Sequence, residues 1–131
     1  MNPRPQPRGG FFTIAAWQKA DDLAVSIYQV TKEFPSVERF GLTSQMRRAA
    51  ISVAANIAEG SGRQTLADYI RFLYIAKGSL TEVEYYLHLA GRLGYLSDQS
   101  HTQLSQLQRM TAGALVGFIT FKENQLQHTQ R

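Results

Sequence analysis

Four polar side chains interrupt an otherwise apolar run of alanine, isoleucine and valine, and they are the residues best placed for chemistry. These side chains are Arg48, Ser52, Asn56 and Glu59, and they are separated by steps of four, four and three residues. This spacing puts all four on one face of a helix. The stripe is either a hydrogen-bonded network inside the fold, because buried polar groups need partners, or a ligand site that lines an open pocket.

The sequence lacks the residues of the commoner catalytic and metal sites. It has no cysteine, no G-x-x-x-x-G-K-[ST] and no G-x-S-x-G. Its histidines share no metal-ligand spacing and are His88, His101 and His128. The GSGR sequence after the polar stripe indicates a turn first, and only weakly a phosphate loop. The sequence therefore predicts a non-enzymatic protein with no catalytic residue, no metal ligand and no cofactor.

A helix must hold the polar stripe, and its nearly uniform apolar composition predicts that it is enclosed on every side. We predict that this helix begins with Thr43 or Ser44 as N-cap and Leu42 as a hydrophobic staple. It should end at about Glu59, because the two glycines of GSGR readily take the left-handed conformation of a helix C-terminus.

The next helix is predicted to begin after Thr65, because Asp68 follows at capping-box spacing ahead of an apolar run. Steps of three and four then define a first row, a heptad seam of Leu66, Tyr69, Leu73, Ala76, Leu80, Val83, Leu87 and Ala90. A second row has the same spacing and contains Phe72, Ile75, Ser79, Glu82, Tyr86, Leu89 and Leu93. Two rows need two packing partners, so this helix should lie deep in a bundle or an oligomer. Ser79 and Glu82 are expected to join the buried network, with Glu82 as the acidic partner of Arg48.

Two further helical patterns complete the architecture, one ending before Pro35 and the other starting after an N-cap at Ser97. The predicted fold is all-α, an up-and-down four-helix bundle over residues 13–126 with long central helices, assembling as a homo-oligomeric ring. The proline- and glycine-rich residues 1–12 are predicted to form a flexible arm, and residues 127–131 a frayed tail.

The charge balance of 14 Lys and Arg against 10 Asp and Glu gives +4, which permits binding to a polyanion without demanding it. No run of residues concentrates this charge, so the fold or subunit symmetry must assemble any basic surface. The cations that adjoin the central motifs but lie off the buried rows are the predicted nucleic-acid contacts, Arg47, Arg63, Arg71 and Lys77. No stretch approaches the roughly twenty apolar residues of a membrane span, which predicts a cytoplasmic protein with no membrane partner.

Two segments, RRAAISVAANIAEGSGR and FLYIAKGSLTEVE, together resemble the 23S rRNA-intervening-sequence protein family, also called the four-helix bundle protein family. The resemblance extends from about Trp17 to Leu96. It implies a small bacterial helical bundle that assembles as a pentameric barrel, and most members have no established activity. A relative, the accessory protein of diversity-generating retroelements, works with a reverse transcriptase and binds nucleic acid.

These observations favour a non-enzymatic oligomeric adaptor. It would use a basic surface to bind RNA, single-stranded nucleic acid or a nucleic-acid-handling partner such as a reverse transcriptase-type protein. One alternative is a protein-only scaffold with no nucleic-acid ligand. The other is small-molecule binding at the polar stripe, which requires Arg48, Asn56 and Glu59 to line a pocket.

Overall fold

The computed structural model describes residues 2–5 and 9–129. Over these residues the chain forms no strands, and its α-helices are α1 (Ala15–Thr31), α2 (Leu42–Ser61), α3 (Leu66–Arg92) and α4 (Asp98–Thr129). Each helix packs against the next along the chain, and α1 packs against α4, which closes the group into a four-helix bundle. Short 3-10 turns precede α1 (Gly10–Thr13) and α2 (Ser36–Glu38). The prediction of an all-α four-helix bundle is confirmed.

Local sequence signals fix both ends of α3. The Thr65 side chain accepts a hydrogen bond from the Asp68 backbone N–H at 3.1 Å, as the capping pattern predicts. At the other end Gly94 has φ +75°. The Tyr95 N–H donates to the Ala90 carbonyl at 3.0 Å, which together with the positive φ is the Schellman arrangement.

The start of α2 differs from the prediction, because the capping group comes from the preceding connector. Gly41 is the N-cap residue, and the Glu38 carboxylate accepts a hydrogen bond from the Leu42 N–H at 3.1 Å. Thr43 is buried inside the first turn and provides no cap. The second Glu38 oxygen accepts a 2.8 Å hydrogen bond from the Tyr95 hydroxyl, which raises the pKa of Tyr95. One carboxylate therefore ties the start of α2 to the α3–α4 loop.

The core is aliphatic, and every helix contributes fully buried side chains to it, among them Leu23, Ile27, Met46, Val53, Leu73, Leu80 and Leu115. The middle of the first row on α3 faces this core. Within the single chain α2 is not enclosed on every side, because Ile51 is 45% exposed and Ala55 is exposed beside it. One face of α2 therefore lies on the surface of the subunit.

The structure describes part of each predicted chain-end segment, residues 1–12 and 127–131. Helix α4 continues to Thr129, so residues 127–129 are helical, while residues 130 and 131 of the predicted tail lie outside the described residues. Residues 2–5 of the predicted arm contact α1 through Arg4, and residues 1 and 6–8 lie outside the described residues. In residues 2–5 and 9–129, no helix combines the length and apolar character needed to cross a bilayer.

Candidate nucleic-acid interface

The polar stripe of α2 meets the second row of α3 at a small cluster of neutral side chains. The hydroxyls of Ser52 and Ser79 are 2.8 Å apart. The Asn56 amide donates to the Ser52 carbonyl at 2.8 Å and to the Ser52 hydroxyl at 2.9 Å. This cluster joins α2 to α3 with Ser79 buried and Ser52 and Asn56 half-buried, so three of the six predicted network residues do come together.

The other three residues of the predicted network, Arg48, Glu59 and Glu82, are exposed on the subunit surface, and the prediction of a buried ion-pair network is wrong. The salt bridges found among the described residues do not include an Arg48–Glu82 pair. Instead, Glu59 lies 3.7 Å from Arg63, and Glu82 accepts a 3.4 Å hydrogen bond from Tyr86.

Helix geometry explains this division of the stripe. Each residue advances about 100° around a helix, so each step of four residues turns the stripe by about 40°. From Arg48 the steps carry Ser52 and Asn56 towards α3, and the last step of three returns Glu59 to the solvent side. The stripe therefore straddles the boundary of the buried face.

Two of the predicted nucleic-acid contacts form one cluster with an aromatic ring at the junction of α2 and α3. The Arg63 guanidinium carbon lies 4.9 Å from the centroid of the Phe72 ring, and that of Arg71 lies 4.5 Å from the same centroid. Both arginines also donate through Nε to the Asp68 carboxylate, at 2.7 and 2.9 Å. These hydrogen bonds, from Arg63 first and then from Arg71, hold the pKa of Asp68 below its ordinary value. We call Arg63, Asp68, Arg71 and Phe72 the arginine cluster.

Gly60 allows the arginine cluster to form, because it lets the end of α2 approach α3 closely. A Cβ atom at Gly60 would lie 3.0 Å from Cβ of Phe72 and 3.2 Å from the carbonyl oxygen of Tyr69. The prediction that the two glycines of GSGR adopt left-handed conformations is wrong. Gly60 lies inside α2, and Gly62 has φ −95°. Glycine is favoured at position 60 because it has no side chain to separate the two helices, and not because its backbone adopts a left-handed conformation.

A third cation, Lys122, lies beside the same end of α3 and was missed by the sequence analysis. Its ammonium is 5.1 Å from the Tyr69 ring centroid and 5.3 Å from that of Phe118, and the two rings contact each other edge to face. Burial raises the pKa of the Tyr69 hydroxyl. The spacing of Phe118 and Lys122, one helical turn apart, was a usable signal.

The remaining two predicted contacts lie apart from the arginine cluster. Arg47 is near the start of α2, where its Nε donates to the Thr31 hydroxyl at 2.9 Å and its Nη2 to the Tyr28 carbonyl at 3.3 Å. It also stacks on the Tyr28 ring, so it fastens the end of α1 to α2. Lys77 is exposed on α3, 5.8 Å from the Tyr74 ring. The structure thus brings together Arg63 and Arg71 and separates Arg47 and Lys77 from them.

The described part of the chain contains no group of three or more His, Cys, Asp or Glu side chains that could hold a metal ion. The fold defines a small helical-bundle protein in which Arg63, Arg71 and Lys122 lie beside aromatic rings at one end. The chain belongs to the 23S rRNA-intervening sequence protein family, whose model matches residues 13–116.

A solved structure with the same fold is the crystal structure of a protein of unknown function from the S23 ribosomal protein family of Bacteroides thetaiotaomicron. It is 27% identical in sequence, covers 80% of this chain and 95% of its own chain, and superposes with a TM-score of 0.74. No functionally curated protein matches this chain. The comparisons establish family and fold, and they assign no activity.

Proposed function

We propose that this protein is a non-enzymatic oligomeric adaptor that binds RNA or other single-stranded nucleic acid through the end of the bundle that carries the arginine cluster and Lys122. A nucleic-acid-handling protein, such as a reverse transcriptase-type enzyme, would be its functional partner. The observation that carries this proposal is the stacking of Arg63 and Arg71 on one aromatic ring, with Lys122 on neighbouring rings. Cations interleaved with aromatic rings suit phosphates and unpaired bases.

The arginine cluster retains donors for a phosphate despite its internal ion pairs. Each guanidinium has five N–H donors, and the hydrogen bonds to Asp68 use only Nε of each arginine. Arg63 and Arg71 are both exposed to solvent. Asp68 and Glu59 offset the charge of the two arginines, but Asp68 also holds them in place, and their remaining N–H donors face solvent.

A homo-oligomeric ring would multiply this surface, and the outer α2–α3 face supports such an assembly. We define this face by its exposed residues, Arg48, Ile51, Ala55, Ile75, Gly78 and Glu82. It contains the part of the second row that α2 leaves uncovered, with Ile51 and Ile75 both more than 40% exposed. Head-to-tail contacts that close produce a ring. Five copies, the number implied by the family resemblance, would carry about +20, five times the +4 of one chain.

Light scattering should show an assembly larger than one chain at micromolar concentration, with about five times the 14.7 kDa of the monomer for a pentamer. Ile51→Asp with Ile75→Asp should dissociate it, because two charges would be buried in the interface. Val116→Asp on α4, diagonal from α2 in the bundle, is the matched control and should leave the mass unchanged. A monomeric wild-type protein would overturn the ring, and the reverse pattern of variants would place the interface on α4.

Fluorescence anisotropy with labelled single-stranded RNA is the direct test of the adaptor. Log affinity should fall with log salt concentration at a slope of about 0.7 for each phosphate neutralised, with little difference between sequences of equal length. No binding at low salt, or binding whose affinity does not change with salt, would contradict this mechanism.

The protein-only scaffold remains the second candidate, favoured by one specific observation. Val37 and Phe40, in the connector between α1 and α2, are 83% and 87% exposed, and large apolar side chains exposed together are typical of protein interfaces. Small-molecule binding at the polar stripe has less support, because Arg48 and Glu59 are exposed on the open α2–α3 face or its edge rather than facing an enclosed space. Partner binding that is insensitive to salt would favour the scaffold.

A further inference from the structure

The N-terminal residues 2–5 lie across α1, where Arg4 is the centre of their contacts. Its Nε donates to the Asp21 carboxylate at 3.0 Å. Its Nη2 donates to the Gln18 carbonyl at 2.7 Å and also to the Asp22 carboxylate. Three acceptors from about one turn of α1 therefore converge on a single guanidinium. These interactions raise the pKa of Arg4 further, with the Asp21 hydrogen bond the largest cause.

An aromatic wall completes this contact surface. The Arg4 guanidinium carbon is 5.9 Å from the Trp17 ring, and Phe12 packs edge to face on Trp17 with centroids 5.1 Å apart. The prolines on either side of Arg4, Pro3 and Pro5, line the same groove as the aromatic side chains. The groove thus combines acceptors for one arginine with an aromatic wall, and Pro3 and Pro5 line it while remaining exposed to solvent. We call Phe12, Trp17, Asp21, Asp22 and the Gln18 carbonyl the α1 groove.

The chemistry of the α1 groove selects a narrow class of ligand. A guanidinium offers several donors in one plane and can reach two carboxylates and a carbonyl at once, whereas a lysine ammonium cannot span them in the same geometry. Prolines hold the segment extended, which lowers the entropy lost on binding. The groove therefore fits an arginine flanked by prolines, the chemistry that residues 2–5 supply.

The attachment of the arm is weak enough for exchange. The Arg4 side chain is 25% exposed and the Asp22 side chain 62% exposed, so solvent screens both ion pairs. Ion pairs that are this exposed contribute little to the stability of a contact. Docking in cis instead depends on the short connection to α1, which keeps the arm at an effective concentration on the order of millimolar. A proline-flanked arginine segment on another protein can therefore compete with the arm when that segment reaches a similar, millimolar concentration.

We infer that the α1 groove is a binding site for proline-flanked arginine segments, occupied in cis by residues 2–5 and opened to a partner protein's segment when the arm is displaced. This site is separate from the arginine cluster and does not depend on nucleic-acid binding. It has the opposite charge preference, because it attracts a cationic peptide where the arginine cluster attracts an anion.

Trp17 allows a direct test, because it is the single tryptophan of the chain and is only 8% exposed beneath the arm. Full-length Arg4→Ala should release the arm and shift the Trp17 emission to the red. A synthetic peptide with the sequence NPRPQPR, that of residues 2–8, should reverse the shift saturably. The wild-type protein should bind this peptide at least about tenfold more weakly, because its own arm competes.

The controls separate the groove from general charge attraction. The same peptide with alanine in place of the first arginine keeps the second arginine and should not bind. Asp21→Asn with Asp22→Asn, added to Arg4→Ala, should abolish binding of the original peptide while the far-ultraviolet circular dichroism stays unchanged. Equal binding of both peptides, the absence of a saturable change, or a change of molecular mass caused by Arg4→Ala would overturn the inference.

Discussion

Replacing Gly60 with valine is expected to lower the free energy of unfolding by about 3 kcal/mol, the upper end of the usual cost of overpacking. The new Cβ would lie 3.0 Å from Cβ of Phe72 and 3.2 Å from the Tyr69 carbonyl oxygen, before either added methyl group is placed. Backbone atoms of α3 cannot rotate away, so the end of α2 must move off α3. Denaturant unfolding at fixed protein concentration would measure the change.

Gly113 provides the matched control for this substitution. It is also inside a helix, but a Cβ atom there would meet nothing within 4 Å. Gly113→Val should therefore change the stability by less than about 0.5 kcal/mol, through helix propensity alone. Similar losses in the two variants would show that the α2–α3 approach at Gly60 does not limit stability. Because Gly60 also underlies the arginine cluster, Gly60→Val should weaken RNA binding even where it remains folded.

The bundle could be predicted from the sequence because its signals are local and repeated. The first row of α3 and the cap at Thr65 each follow from spacing within one helix, and the structure reproduces both. The start of α2 could not be predicted, because its cap is the carboxylate of Glu38 from a separate turn. Such a contact depends on how the connector folds, which periodicity does not encode.

The candidate site was only partly predictable for the same reason. Arg63 and Arg71 could be chosen because they lie off the buried rows, but their shared ring and shared acid, Phe72 and Asp68, could not. By spacing, Phe72 belongs to the second row of α3. In the structure α2 approaches α3 closely at Gly60, and Arg63 and Arg71 lie over the Phe72 ring. A helical wheel predicts the direction in which a side chain leaves its own helix. It does not show which residues of the neighbouring helix lie on that side.

The exposed residues of the polar stripe show why an apolar helix does not have to be buried within its own chain. The apolar composition of α2 predicts that the helix is enclosed, and its polar residues are therefore expected in the core. The structure exposes Ile51 and Arg48 on one face. An apolar helix face can be covered by another subunit as well as by its own chain, and the sequence pattern is the same in both cases.

Reversing the charge of the arginine cluster should have the largest effect on nucleic-acid binding. Arg63→Glu with Arg71→Glu removes the two arginines that stack on Phe72, and it should weaken binding to single-stranded RNA at least about tenfold at low salt. If each arginine neutralises one phosphate, the salt slope should fall by about 1.4, twice the value for one contact.

The net charge of the chain must be matched before this loss can be assigned to the arginine cluster. Lys32→Glu with Arg109→Glu produces the same change in net charge at two exposed positions outside the cluster. It therefore reproduces the loss of long-range attraction without removing the stacked cations. We expect the salt slope to fall by about 1.4 in the cluster variant and to stay unchanged in the control, while light scattering shows the same assembly for both. Equal losses in the two variants would mean that RNA responds to total charge, and the arginine cluster would then not be the binding site.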